Sequence, residues 1–365
     1  MIIYEIVPQL SSGGGERFTV DLCNELSKEN DVTLIVFHPL ERTGFYKGEI
    51  SSNVKLYSMN KRPGIDWTLM FRIYNLIRKG RPDVVHMHLR AIVYCILSVL
   101  FNRSIFYFHT VHSDAQKEAG SFLGSSIRKF CFKSGFVIPV TISIESRNSF
   151  VEYYGFIPPV IPNGRNVSRN ILVSEHVRKE LMRYKDDSDE KILVCLARIN
   201  KVKRQLMIAR IVSRLNSEGY KLSMLMIGND SNASLVNEIK MVNCPKVYIL
   251  GERNNPLEYL KAADAYCLLS SYEGMPISLI EAIGVGTIPI CTPVGGIVNT
   301  IEDGINGFLA SDISEDACYL AVKRFLDLPA VEMERMRANV LRSYRSYTMT
   351  ECAKKYYELF NKNRK

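Results

Sequence analysis

Two glutamates, Glu273 and Glu281, stand with seven residues between them in SYEGMPISLIEAIGVGTIPIC. Pro276 suits a first helical position, because it needs no N–H partner there and its φ is already set. Ile277 to Val285 reads as a short apolar helix, and Thr287 to Cys291 as a buried strand. Glu273 then lies at the mouth of a helix N-terminus and Glu281 more than one turn inside. Free N–H groups and the positive dipole end favour an anion there. A carboxylate beside an anion site suits a ligand that carries both phosphate and sugar hydroxyls. The same two acids could instead do no more than stabilise the dipole and line a solvated face.

Two cations belong to the same half. The strand Ile192–Leu196 runs into Ala197-Arg198-Ile199-Asn200, and Lys201-Val202-Lys203-Arg204 opens a helix. Arg198 and Lys203 project over the carboxyl edge of that strand. Arg as a fork and Lys as a point charge can clamp a diphosphate; alone, they read equally as an exposed basic loop. Near the start, Ser11-Ser12-Gly13-Gly14-Gly15-Glu16 links a strand to a helix. Its glycines permit close backbone approach, so phosphate or sugar could meet the helix N-terminus. The spacing is not that of a dinucleotide fingerprint, and Phe37-His38-Pro39 replaces the acid expected at the end of the next strand. His109 and His112 follow the strand Ser104–Phe108, where a histidine can donate to a sugar hydroxyl or a phosphate. His86 and His88 share one strand face and invite a metal reading. With no Cys, Asp or Glu partner evident in the sequence, they read as strand-end packing.

The elements that carry these residues alternate. Ile2–Val7, Val32–Phe37, Val84–Met87, Ser104–Phe108 and Phe136–Ile142 read as buried strands, with amphipathic runs such as Phe18–Lys28 and Thr68–Lys79 between them. The pattern returns in Ile192–Leu196, Leu222–Ile227, Val247–Leu250, Ala265–Leu269 and Ile288–Cys291. This predicts two doubly wound parallel sheets facing a cleft, with sites at the carboxyl ends of strands. The Pro- and Gly-rich stretch at 155–173 marks the seam. The expected ranges are 1–165, 166–345, and a final amphipathic helix within 346–365.

Composition narrows the class. The 365 residues are 47% apolar and 23% charged, as in a soluble globular chain. No secretory signal is apparent, and the apolar run Ala91 to Phe101 is too short to span a membrane. Nine scattered cysteines without a C-x-x-C pair fit reduced thiols in the cytoplasm and speak against zinc. The net charge of +9 is spread over both halves. Arg128, Lys129 and Lys133, interleaved with Phe130 and Phe132, read either as a basic amphipathic helix on an anionic membrane or as a half-buried helix with a solvated face. No groove-reading motif points to nucleic acid.

Many positions over some forty residues agree with one known pattern. Ser270, the Gly274-Met275-Pro276 turn, Glu281-Ala282, Gly286, Gly295-Gly296, Asp303-Gly304 and Asn306-Gly307 form an ordered series. It resembles the donor site of the retaining glycosyltransferases of family four, which have the GT-B fold and an E-x7-E signature. The Arg198–x4–Lys203 pair, Ile161-Pro162-Asn163-Gly164, the Gly13–Gly15 loop and a strand-end histidine resemble the same family. The chain departs from it at Arg204, where glycine is common, at Arg165-Asn166, and after Gly228-Asn229-Asp230, where a glycine is missing.

The resemblance implies a GT-B enzyme whose last helix crosses back to the N-terminal domain. It implies transfer of a sugar, with retention, from a nucleotide diphosphate donor such as a UDP- or GDP-sugar to a hydroxyl of a glycan or polyprenyl-linked acceptor. The expected setting is bacterial surface-polysaccharide assembly, in the cytoplasm or peripheral on the inner membrane face. No metal and no cofactor is expected. Glu281 would hold the ribose and Glu273 the donor-sugar hydroxyls. Arg198 and Lys203 would hold the diphosphate. Gly228, Ser270, Gly274, Met275, Pro276 and Ile277 would line the donor, and Gly13, Gly14, Gly15 and His109 would border it. One of the two strand-end histidines would be the active-site histidine, with His112 favoured ahead of His109. A sugar-nucleotide epimerase and a non-catalytic sugar-nucleotide-binding partner remain as alternatives.

Overall fold

Short apolar strands joined by helices pair in parallel, because each crossover returns the chain to the same sheet end. The chain does this in two compact units, Met1–Asn166 with Tyr347–Lys365, and Val167–Ser346. The computed structural model describes residues 1–168 and 170–364; Arg169 and Lys365, both inside the expected domain ranges, lie outside the described residues.

The first unit contains β1 (Ile2–Val7), β2 (Asp31–Val36), β3 (Val54–Ser58), β4 (Val84–His88), β5 (Phe106–Val111) and β6 (Ile138–Thr141). All pairings are parallel, in the order β3-β2-β1-β4-β5-β6. The second unit contains β7 (Lys191–Leu196), β8 (Leu222–Ile227), β9 (Val247–Gly251), β10 (Ala265–Leu268), β11 (Ile288–Cys291) and β12 (Phe308–Leu309), in the order β12-β11-β10-β7-β8-β9. The two orders are the same, counted from each unit's first strand. Each sheet reverses direction of growth once, between β1 and β4 and between β7 and β10. The loops leaving those two strands part company there and open a crevice at the carboxyl edge.

Three differences from the sequence reading have physical causes. The edge strand β3 is half exposed, so its mixed VKLYS does not read as a core strand. The last strand, β12, is only two residues long. Pairing with β4 carries β5 on to Val111, with His109 opposite Met87 and Thr110 opposite His88. His109 is therefore inside a strand, and His112 is the first residue beyond it.

The helix Met349–Arg364 packs in the first unit against the helix Gly14–Leu26 and β5. Tyr356 and Phe360 are fully buried there. The I-P-N-G turn lies under the start of this last helix, where a Cβ on Gly164 would come within 2.6 Å of the Thr348 carbonyl oxygen. Arg165, at a departure from the family pattern, reaches Asp21 at 3.1 Å.

The basic helix Phe122–Lys133 corrects one grouping. Arg128 is buried, and its guanidinium donates to the carbonyls of Ala119 (3.0 Å) and Leu89 (2.6 Å). Only Lys129 and Lys133 of that trio face outward, beside exposed Phe122 and Phe130. No helix among the described residues is long and apolar enough to cross a membrane. All nine cysteines are free, and all but the half-buried Cys244 are buried.

Gly164→Ala should destabilise the chain by about 1–3 kcal/mol, the usual range for overpacking. Urea unfolding checks it; an unchanged midpoint would mean that the last helix yields without penalty.

Candidate functional site

In the second unit the candidate residues come off the two strands that flank the reversal of sheet order. Arg198 follows β7 and is exposed. The chain then turns back through Asn200, whose side chain accepts from the Lys203 N–H at 3.0 Å. Arg204 closes the turn in the left-handed region, φ +56° and ψ +35°. That conformation explains why glycine suits this position, since it avoids the steric penalty of a side chain. The sequence gives no hint of Gln205. It is fully buried and fastens the turn, donating to the Arg198 carbonyl (3.0 Å) and accepting from the Asn200 N–H (3.3 Å).

From β10 the chain enters Ser270 and the Glu273–Pro276 turn. Lys203 Nζ lies 2.5 Å from Glu273 Oε1, and the Ser270 hydroxyl donates to the same oxygen at 2.5 Å. Thr292, beyond β11, donates to the Ser270 carbonyl at 2.6 Å. Gly295, at φ +54°, allows the backbones to meet: a Cβ there would fall 2.0 Å from the Glu273 carbonyl oxygen. The Gly296 N–H donates to the Gly274 carbonyl at 2.5 Å. Lys203 and Ser270 thus hold the Glu273 carboxylate itself, and the Thr292–Gly296 segment holds the backbone on either side of it.

The helix spans Ile277–Val285, with Pro276 as its N-cap and not at the first helical position expected for it. Met275 and Ile277 are buried. Glu273 and Glu281 are each about nine-tenths buried, so neither lines a solvated face. An acid inside an apolar helix is retained at a desolvation penalty unless it meets donors. Gly228 serves the backbone. Its φ is +142°, and a Cβ would lie 2.4 Å from the Ala197 carbonyl oxygen, so it lets the β8 turn close on Arg198's strand end.

In the first unit, the Gly13–Gly15 turn opens the helix Gly14–Leu26, with Gly13 as its cap. Glu16 folds back over it: a Cβ on Gly13 would meet Glu16 Oε2 at 2.2 Å, and Glu16 Oε1 accepts from Ser11 at 2.8 Å. A carboxylate over the turn repels phosphate, so of the two expected ligands this loop favours a hydroxyl. Gly15 faces Leu89 and the His112 ring.

The two histidines of HTVH separate. His109 is fully buried on the opposite face of β5 from Thr110, with Nε2 3.2 Å from Glu118 Oε1 and its ring beside Phe132. Burial and Arg128 hold its pKa well below normal. Its side chain has no solvent-exposed surface. His112 is half-buried, stacked edge-on to Phe18. Its backbone N–H donates to Glu118 Oε2 at 2.7 Å. Burial pushes Glu118 up to about 7, against Arg128 and the N–H groups of His112 and Ser113.

His86 and His88 do have a carboxylate partner. Glu5, in the middle of β1, lies 3.1 Å from His86 Nδ1 and 2.7 Å from His88 Nε2. All three are fully buried. By residue type the trio could hold a metal. Their four imidazole nitrogens are already engaged, since His86 Nε2 meets Thr110 (2.8 Å) and His88 Nδ1 meets His112 (3.0 Å). A lone acid in the apolar strand IIYEIV was the signal in the sequence.

The family model of glycosyl transferases group 1 matches residues 178–342, and that of glycosyltransferase family 4 matches 12–169. The chain is 24% identical over 334 residues to an undecaprenol-linked alpha-1,4-N-acetyl-D-galactosaminyltransferase of Campylobacter jejuni, covering 88% of each chain. A glycogen synthase of Thermodesulfovibrio yellowstonii is 34% identical over 98 residues, 27% of this chain and only 20% of the synthase. The fold superposes with TM-score 0.83 on Anabaena Alr3699/HepE, solved with UDP-glucose, at 15% identity over 99% of this chain and 100% of that one.

Two buried groups give opposing pH dependences of stability. His88, held at about 4 by burial and His86, contributes stability that is present above its unfolded value near 6.5 and is lost as pH falls towards 4. Glu118, raised to about 7, contributes stability that is present below its unfolded value near 4.5 and is lost as pH rises towards 7. Glu118→Gln should therefore make the rise of unfolding free energy between pH 4.5 and 6.5 steeper than in the parent. Denaturant titrations across that range check the sign; an unchanged or shallower slope contradicts it.

Proposed function

The chain belongs to the glycosyl transferases group 1, and on that premise we propose that it moves a sugar from a nucleotide diphosphate donor to a hydroxyl of a glycan or lipid-linked acceptor. The observation that carries this reading is the meeting of Lys203 and Ser270 on the buried Glu273 carboxylate, four residues before the helix that opens at Ile277. Cations and N–H groups suit a diphosphate, and a buried carboxylate within the same few ångströms suits sugar hydroxyls.

In this reading Arg198 and Lys203 neutralise charge that builds on the leaving diphosphate. Glu281 accepts from ribose hydroxyls. Glu273 accepts from the donor sugar, exchanging its lysine partner for substrate. The backbone N–H groups of Ile277 and Ser278, which open the helix, have no carbonyl one turn earlier and are free to meet phosphate or sugar oxygens. The first unit offers the Gly13–Gly15 turn and His112 to a hydroxyl.

We propose retention of configuration, with attack from the leaving-group side and the diphosphate taking the acceptor proton. No side-chain nucleophile is then required. Charge compensation by Arg198 and Lys203 makes a metal ion and a cofactor unnecessary. A UDP- or GDP-sugar donor and a surface-polysaccharide product follow the resemblance. The undecaprenol in the name of the Campylobacter relative suggests a lipid-linked acceptor. Exposed Phe122, Phe130, Lys129 and Lys133 support cytoplasmic work against the inner membrane face.

The test begins with thermal stabilisation by UDP, GDP, ADP and CMP, each with magnesium and with EDTA. One diphosphate should raise the melting temperature in both conditions. Its sugar nucleotides then enter a transfer assay. Lys203→Ala and Glu273→Ala should each lower kcat by roughly 10²–10³-fold, the scale of one lost preorganised group. Unchanged transfer in both variants would overturn the site. Epimerised nucleotide would instead identify an epimerase, and binding without turnover a non-catalytic partner.

A further inference from the structure

We infer that Glu5 and His88 are positioning residues that fix His112 as the tautomer protonated on Nε2, leaving its Nδ1 as a hydrogen-bond acceptor for a substrate hydroxyl. The inference rests on the proposed role of His112 and specifies what that residue can bind.

The chain of bonds runs outward from Glu5. Burial alone would raise its carboxyl, but His86 and His88 outweigh burial and hold it at about 2. Glu5 is thus ionised at neutral pH and can only accept. His88 Nε2, 2.7 Å away, must then carry the proton. His88 is held near 4, so it is neutral and its Nδ1 is a bare lone pair. That nitrogen lies 3.0 Å from His112 Nε2, which must therefore be the donor. His112 is held well below its normal value by burial and by His88, so it too is neutral. One proton on Nε2 leaves none for Nδ1.

His112 Nδ1 has no hydrogen-bond partner among the described residues. A bare imidazole nitrogen accepts from a hydroxyl and repels a phosphate oxygen. This agrees with the Glu16 carboxylate folded over the neighbouring glycine turn. The other arm of the network is consistent in direction. If His86 donates from Nδ1 to Glu5, its Nε2 accepts from Thr110, which accepts in turn from Tyr356 at 2.8 Å. Donation then runs from both ends towards the one permanent acceptor. Tyr356 comes from the last helix and seals the network, its ring 5.0 Å from that of His86.

The experiment is long-range proton–nitrogen NMR correlation on the full-length, 15N-labelled chain at pH 7.5. The parent should show protonated Nε2 and bare Nδ1 for both His88 and His112. His112 protonated on Nδ1, or His88 without a proton on Nε2, as a bound metal would require, overturns the inference. Neither readout depends on catalysis, so absence of transfer by the parent would sink the functional reading and leave the tautomer result standing. In Glu5→Gln the new amide can donate to His88 Nε2. The chain of bonds should then reverse and place a proton on His112 Nδ1, with kcat/KM falling by roughly tenfold, about the worth of one hydrogen bond. A folded Glu5→Gln chain whose His112 keeps the parent tautomer would also overturn it. Should that variant not fold, His88→Gln offers a second arm. A His112 tautomer released from the Nε2-protonated form is expected, and an unchanged tautomer contradicts the inference.

Discussion

The single reversal of strand order in each sheet is the constraint on which the rest depends. Parallel strands return all their carboxyl ends to one edge, and crossover helices cover both faces. Only where neighbouring strands send their loops to opposite faces can that edge stay open. In the second unit β7 and β10 are those strands, and they deliver Arg198, Lys203, Ser270 and Glu273. In the first unit β1 and β4 deliver the glycine turn and His88, with β5 beside them bringing His112. Residues distant in sequence meet because topology leaves them one place to meet.

Holding a charged group at such an edge requires close backbone approach. Gly295 and Gly228 permit it by having no Cβ, and Arg204 accepts a left-handed backbone so that its turn can close. Buried polar side chains take up the remaining backbone groups. Gln205 fastens the Arg198 turn, Thr292 the Ser270 carbonyl, and Glu118 the N–H groups of His112 and Ser113. These residues touch no substrate in the proposed reaction. They set the positions of those that do, and buried bonds of this kind are expensive to break.

Much of this was legible in the chain. Apolar strands with helical spacers announced two parallel sheets, and the ordered series from Ser270 to Gly307 pointed to a sugar-nucleotide site. The boundaries of Ile277–Val285 followed from the Pro276 and Gly286 that flank it. Other features were hidden for identifiable reasons. The register of β5 is set by pairing with β4, a long-range constraint that local pattern does not carry, so His109 and His112 could not be told apart. Arg128 looks like part of a basic face because sequence does not show which carbonyls a guanidinium will reach. Glu5 is 81 positions from His86, and only the β1–β4 pairing makes them neighbours. An acid alone in an apolar strand nonetheless signals that a partner must exist.

The central claim is that Arg198 and Lys203 recognise a diphosphate at the carboxyl edge of the second sheet. Isothermal titration of a nucleoside diphosphate and its monophosphate, against the parent and against an Arg198→Ala, Lys203→Ala double variant, tests it most directly. The account predicts that the parent prefers the diphosphate by at least roughly tenfold, as one added charge-assisted contact would give. It predicts that this preference collapses in the folded double variant. Equal affinities in the parent, or a preference that survives in the double variant, would contradict it.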